Sequence, residues 1–227
     1  MDICSNIKII EDRIKNICSQ VGRDPNDIKL IAVSKTKSIQ SIQEAVECGQ
    51  RHFGENKIQE LVSKMDAFGA DLEWHMIGAL QTNKIKYLAE RVNWIHSIGK
   101  LKHLKEVEKR AASAKRKINI LIQINISNED QKSGFSPQDL KEVIKYIQDY
   151  KWIKIQGLMG MASFVDDPEI IRPEFRLLRE LRDSHKYYET ENVNMHHLSM
   201  GMTNDLDIAI KEGATMVRIG TAIFGDR

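Results

Sequence analysis

The stretch INILIQINI, residues 118–126, is the plainest strand in the chain and decides how the rest is read. After it, Ser136 as a cap and Pro137 at the first position open a helix with Leu140, Val143, Ile144 and Ile147 on one face. The same order recurs on both sides. Upstream, IKLIAVS (28–34) precedes a helix with Ser41 and Glu44 as a capping box and Ile39, Ile42 and Val46 on one face. RHFGEN (51–56) precedes a helix carrying Ile58, Leu61, Val62 and Met65. EWHMIG (73–78) precedes one capped by Thr82, and NWIHSI (93–98) precedes one with Leu101, Leu104 and Val107. Downstream, IKIQGLMGM (153–161) precedes a helix after Pro173, and MHHLSM (195–200) precedes one capped by Thr203. The last strand is ATMVRIG (214–220).

Strands that alternate with helices must run parallel, and eight of them predict an α/β fold closed as a (β/α)8 TIM barrel. An open doubly wound sheet is the alternative, but no G-x-G-x-x-G follows the first strand. An extra N-terminal helix, with Ile3, Ile7, Ile10, Ile14, Ile17 and Val21 in register, is expected to fill the place left by a missing full eighth helix. No proline- or glycine-rich linker interrupts residues 1–227, which predicts a single domain.

Composition narrows the function. With 34 Lys+Arg against 32 Asp+Glu, the net charge of +2 supplies no field for nucleic acid or an anionic membrane. The run Lys115–Lys117 falls where a helix should end, where positive charge complements the helix dipole. No stretch approaches the ~20 apolar residues of a membrane span. The N-terminus carries scattered charges, unlike a signal peptide, and Cys4, Cys18 and Cys48 have neither metal nor redox spacing. A cytoplasmic protein with reduced thiols is expected.

In such barrels the chemistry sits where strands end. The first strand ends in Lys35, the second in Glu55 and Asn56, the seventh in Ser199, Met200, Gly201 and Thr203, and the eighth in Gly220 and Thr221. Loops after the last two strands often hold phosphate, through bare amides and hydroxyls. Arg218 lies within an apolar strand and needs an acceptor, either a structural carboxylate or a ligand. A lysine at the barrel mouth can lose its proton on desolvation and form a Schiff base with a carbonyl. Together these suit pyridoxal phosphate, its aldehyde on Lys35 and its phosphate across the mouth. Lys37 shares the parity of Lys35 but lies further out. His52, His75, His96, His196 and His197 read as hydrogen-bonded core histidines, and no metal site is expected.

The segments AVSKTK, RHFGENKIQEL, EWHMIGALQTNK, INILIQINIS, KSGF, GLMGM, LSMGMTNDLDIAI and GATMVRIGTAIFG resemble the pyridoxal phosphate homeostasis protein family, in order and from about residue 30 to 225. These proteins are single-domain relatives of the alanine racemase N-terminal barrel. The resemblance implies pyridoxal 5'-phosphate on Lys35, Asn56 beside its ring, and Ser199, Gly201, Gly220 and Thr221 around its phosphate. Met200 would lie alongside and Arg218 would face the pyridine nitrogen. It also implies a protein that stores the cofactor, keeps its free level low and hands it to apoenzymes, without robust turnover. A monomer is expected separately, because no long exposed apolar stripe is evident. Ser38 stands where many members have proline, Lys57 where many have tyrosine, and Thr203 replaces a frequent serine. A weak racemase or lyase using pyridoxal phosphate is the alternative. A third reading is an aldolase or sugar-phosphate lyase that uses Lys35 directly.

Overall fold

All eight expected strands form, and each pairs in parallel with its neighbour in sequence. The computed structural model describes residues 2–127, 129 and 133–225. The strands are β1 (Lys29–Val33), β2 (His52–Glu55), β3 (Glu73–Met76), β4 (Trp94–Ile98), β5 (Ile118–Gln123), β6 (Ile153–Met159), β7 (Val193–Ser199) and β8 (Met216–Ile219). β8 pairs back onto β1, with Ile31 beside Arg218, so the sheet closes as a barrel.

The helices are α1 (Ile3–Gln20), α2 (Ile39–Glu47), α3 (Ile58–Ala67), α4 (Leu101–Ala114), α5 (Leu140–Ile147), α6 (Pro168–His185), α7 (Leu206–Lys211) and α8 (Thr221–Phe224). Several starts differ from those expected. α2 is capped by Ser38, whose hydroxyl accepts from the Ser41 amide at 3.1 Å, so Ser41 sits inside the helix. α6 begins at Pro168 behind an Asp167 cap and runs through Pro173. α7 starts at Leu206, and Thr203 lies in the preceding loop, where Asp205 accepts from the Met202 amide at 2.5 Å. Residues Thr82–Tyr87 make only a 3₁₀ helix, with Gln81 rather than Thr82 at its N-cap. α4 does end at Ala114, where Lys115 adopts a left-handed conformation.

The apolar face of α1 buries Ile3, Ile7, Ile10, Ile14 and Ile17 and packs on α2, α7 and α8. Arg13 bonds Asp207 at 2.7 Å, and Arg23 donates to the carbonyls of Ile210 and Ala214 at 2.7 and 2.8 Å. With α8 only four residues long, α1 completes the outer ring, as the sequence predicts. Among the described residues, no helix is long and apolar enough to cross a membrane.

The main core lies between the strands and the helices. Inside the barrel, among the described residues, only Ile31, Trp94, Leu121, Met159 and Met216 form an apolar cluster. The rest of the interior is polar: Lys29 lies over the Trp94 ring, His75 stacks on Trp94, and His96 and Arg218 both reach Ser199.

The cysteine expectation is corrected. Cys4 at the start of α1 and Cys48 at the end of α2 stand 5.4 Å apart at Cα and are disulfide-bonded, while Cys18 is free and buried. Their 44-residue separation in sequence hid a pairing that the packing of α1 on α2 creates. Cross-linking a loop of that length contributes about 4 kcal/mol in the chain-entropy account. Guanidinium unfolding with and without dithiothreitol should differ by up to that amount, and a Cys48→Ser variant should show no difference.

Candidate functional site

Four consecutive strand ends, those of β7, β8, β1 and β2, carry the residues singled out in the sequence. The chain leaves β1 through Ser34 and Lys35, then turns at Thr36, whose φ of +64° is uncommon for a β-branched residue. Lys35 is half-buried, and among the described residues no hydrogen bond or ion pair engages its amine. Lys37 is committed elsewhere, donating to the carbonyls of Phe224 and Gly225 at 3.2 and 2.9 Å. That separates two lysines that strand parity could not.

The Thr36 turn is clamped from α3. Lys64 is buried and donates to the Ser34 carbonyl at 2.8 Å, to Glu55 at 2.7 Å and to Glu60 at 2.7 Å. Glu55, fully buried at the end of β2, also accepts the Ser34 hydroxyl at 2.6 Å. Glu60 accepts the Thr36 amide at 2.5 Å. Burial pushes the Glu55 carboxyl above its usual range, against the pull of Lys64 and Ser34. Burial pushes Glu60 the same way, but bonds from Lys64 and Thr36 outweigh it and its carboxyl falls. Lys64 and Glu60 thus grip the backbone on either side of Lys35, and Glu55 holds the Ser34 side chain. Sequence reasoning missed Lys64, although its position three residues after Leu61 put it on the buried stripe of α3.

Arg218 is only 5% exposed. Its guanidinium donates to the Ser199 hydroxyl at 2.7 Å and to the Gly160 carbonyl at 3.2 Å. Burial lowers its pKa to about 10. Among the described residues it has no ion-pair partner, so the structural-carboxylate alternative falls away. The Ser199 hydroxyl, expected among phosphate donors, instead stands between Arg218 and His96, the latter at 2.8 Å.

Gly201 has a φ of +93°, and a Cβ there would come within 2.5 Å of the Ala209 side chain, so packing and conformation both require glycine. Its carbonyl accepts the Arg218 amide at 3.0 Å, which ties the β7 turn to β8. Gly220 lies against Val33, where a Cβ would meet atoms at 3.4 Å, and Thr221 is exposed beside it. Asn56 follows β2, half-buried, its backbone pressed so close to Gly78 that a Cβ on Gly78 would lie 2.2 Å from the Asn56 carbonyl oxygen. Met200 contributes neither side chain nor amide at the mouth. The side chain packs in the helix-side core, and the amide bonds the Met216 carbonyl at 3.2 Å.

His75 and His96 are hydrogen-bonded core histidines, as expected, and with the half-buried His52 they form a chain. His197 is half-buried, and His196, on the opposite face of β7, is exposed rather than in the core. His52 Nδ1 lies 3.3 Å from His75 Nε2, and His75 Nδ1 lies 3.0 Å from His96 Nε2. Burial, reinforced by neighbouring charges, holds His75 and His96 far below the usual imidazole range, so both are neutral. His52, Glu73 and His75 bring their donor atoms within 4.8 Å of one another. However, the Glu73 oxygen already faces the Lys29 ammonium at 3.6 Å and accepts the Trp94 indole N–H at 3.0 Å. Lysine therefore occupies the place of a cation, and repulsion disfavours a metal.

Residues 6–227 match the model of the alanine racemase N-terminal domain. The chain is 42% identical over its whole length to a pyridoxal phosphate homeostasis protein of Aquifex aeolicus, covering 99% of that protein. It is 39% identical to the pyridoxal phosphate homeostasis protein of Escherichia coli, covering 97%. Among solved structures, PipY of Synechococcus elongatus with PLP bound superposes with a TM-score of 0.81 at 30% identity, over 93% of this chain and 99% of that one. Alanine racemase from Corynebacterium glutamicum shares the fold alone, at 16% identity and a TM-score of 0.76, with this chain spanning 61% of it. A closed parallel barrel with a lysine turn after its first strand, matched end to end by such relatives, belongs to the pyridoxal phosphate homeostasis protein family.

Proposed function

We propose that this protein binds pyridoxal 5'-phosphate and acts in its homeostasis, holding the cofactor on Lys35 and releasing it to apoenzymes. The observation that carries this reading is the uncommitted amine of Lys35 on a turn clamped by three charged side chains. Lys35 would hold the cofactor through its aldehyde, the amine supplying the nitrogen and the carbonyl oxygen departing as water. The donor set suits the rest of the ligand. Arg218, a buried cation without an anionic partner, would face the ring nitrogen, with Ser199 beside it. Gly201, Gly220 and Thr221 would frame the phosphate, Met200 anchors the β7 turn, and Asn56 would flank the ring.

Arg218 also favours a carrier over an enzyme. A carboxylate opposite the ring nitrogen would keep it protonated and make the bound ring a strong electron sink. An arginine donates a hydrogen bond and leaves that nitrogen unprotonated. Two-base racemisation further needs an acid opposite Lys35. Among the described residues, Tyr87, Tyr146, Tyr150, Tyr187 and Tyr188 lie in helices or just before β6, and none follows the C-terminal end of a strand. We infer a monomer that works in the cytoplasm, from its homeostatic role and not from its thiols, since Cys4 and Cys48 are paired.

The test uses the purified protein with added pyridoxal phosphate. A visible absorbance band should appear, and an apoenzyme mixed with the loaded protein should gain activity. Each amino acid added to the loaded protein should keep its chirality and yield no keto acid. Sustained turnover at a metabolic rate would replace the carrier reading with the racemase or lyase. A protein that stays colourless would favour a lyase using Lys35 alone.

A further inference from the structure

The chain of imidazoles runs from the N-terminal ends of β2 and β3 to the Ser199 hydroxyl that Arg218 bonds, and its hydrogen bonds have only two consistent directions. Neutral His75 and His96 each carry one ring proton, so each offers one donor and one acceptor nitrogen. The 3.0 Å contact between them holds one proton, and fixing it fixes every other bond in the row.

In the first direction, His52 Nδ1–H faces His75 Nε2, His75 Nδ1–H donates to His96 Nε2, and His96 Nδ1–H donates to Ser199 Oγ. Ser199 then accepts from both His96 and Arg218, and its own hydroxyl proton is left to find an acceptor elsewhere. In the second direction, Ser199 donates to His96 Nδ1, and both histidines carry their proton on Nε2. His75 then donates to His52 Nδ1, which turns a bare lone pair towards Glu73 Oε2 at 3.4 Å.

Glu73 chooses between them. It is held ionised, its pKa lowered to about 2 by the bond from His52 and by Lys29, with the Trp94 N–H adding to these. A carboxylate facing His52 Nδ1 demands a proton there, which selects the first direction. The neighbouring charges from other strands, Lys29 on β1 and Arg218 on β8, flank the two ends of the row without interrupting it.

We propose that Glu73, His52, His75 and His96 act as positioning residues, forming a proton-orienting row that commits the Ser199 hydroxyl to donate outward, to the ligand bound beside Arg218. This rests on the reading of Ser199 and Arg218 as cofactor neighbours. The linkage is reciprocal: whatever orients the row strengthens the ligand bond at Ser199, and the ligand in turn orients the row.

The experiment is long-range nitrogen–proton NMR of ¹⁵N-histidine-labelled protein, free and with pyridoxal phosphate, in wild type and Glu73→Gln. Wild type without ligand should show His75 and His96 protonated at Nδ1. Glu73→Gln, at a half-exposed position that leaves the fold intact, should show a mixture with the Nε2–H form. Added pyridoxal phosphate should drive that mixture back to Nδ1–H, with affinity lowered about 3- to 10-fold, the cost of one net hydrogen bond. Wild type with its protons on Nε2, or Glu73→Gln with unchanged tautomers and unchanged affinity, would overturn the proposal. Failure of the cofactor reading looks different: the ligand-free tautomers respond to Glu73→Gln, yet pyridoxal phosphate moves nothing in either protein.

Discussion

Lys35→Ala should abolish the borohydride-stable adduct with pyridoxal phosphate, while Lys37→Ala should retain it. The expectation follows from the commitments of the two amines. Lys37 is spent on the Phe224 and Gly225 carbonyls, whereas the Lys35 amine engages no described residue. Because Lys35 is half-buried and makes no polar bond, its loss should change stability by no more than about 0.5 kcal/mol, so lost binding could not be blamed on unfolding. Reduction followed by peptide mapping reads the outcome directly. An adduct that survives in Lys35→Ala, or that maps to another lysine in wild type, would remove the basis of the proposed function.

The second large effect is expected at a residue that touches no ligand. Lys64→Met keeps the volume of the side chain but leaves Glu55 as an uncompensated buried carboxylate and the Ser34 carbonyl without its donor. Removing one partner of a buried pair costs about 3–5 kcal/mol. Thr36 adds its own share, because a non-glycine residue in the left-handed region costs roughly 1–3 kcal/mol and persists only while its surroundings enforce it. Denaturant unfolding should show the loss, and adduct formation at Lys35 should slow at temperatures where the variant is still folded. Adding Glu55→Gln should recover part of the stability without restoring the rate, since the charge imbalance is relieved but the turn remains loose. A Lys64→Met protein with wild-type stability and wild-type rate would show that the clamp positions nothing.

These two sites mark how far a sequence can be read. The barrel was legible because eight short apolar runs alternate with amphipathic helices, and closure follows from their number. Lys35 could be singled out because strand ends are where barrels place their chemistry. Its preference over Lys37 was not settled by parity, since the tether on Lys37 comes from carbonyls 187 and 188 residues away. Lys64 was obscured by its charge, which reads as a solvent-facing position until three acceptors converge on it. The contact between His96 and Ser199 spans 103 residues, and it exists only once β4 and β7 look inward across a closed barrel. Helix starts were misread where a better oxygen lay nearby, as Ser38 did before Ser41. The disulfide joins two helices that share no pattern in the chain.

The polar lining of the barrel also decides where this molecule can change. Cohesion is peripheral: the helices act as hoops, and the staves they bind enclose little oil of their own. Substitutions inside the tube therefore trade one set of polar partners for another and leave the outer seams untouched. Such a scaffold can retune what its mouth holds, over evolutionary time, without renegotiating how it stays together.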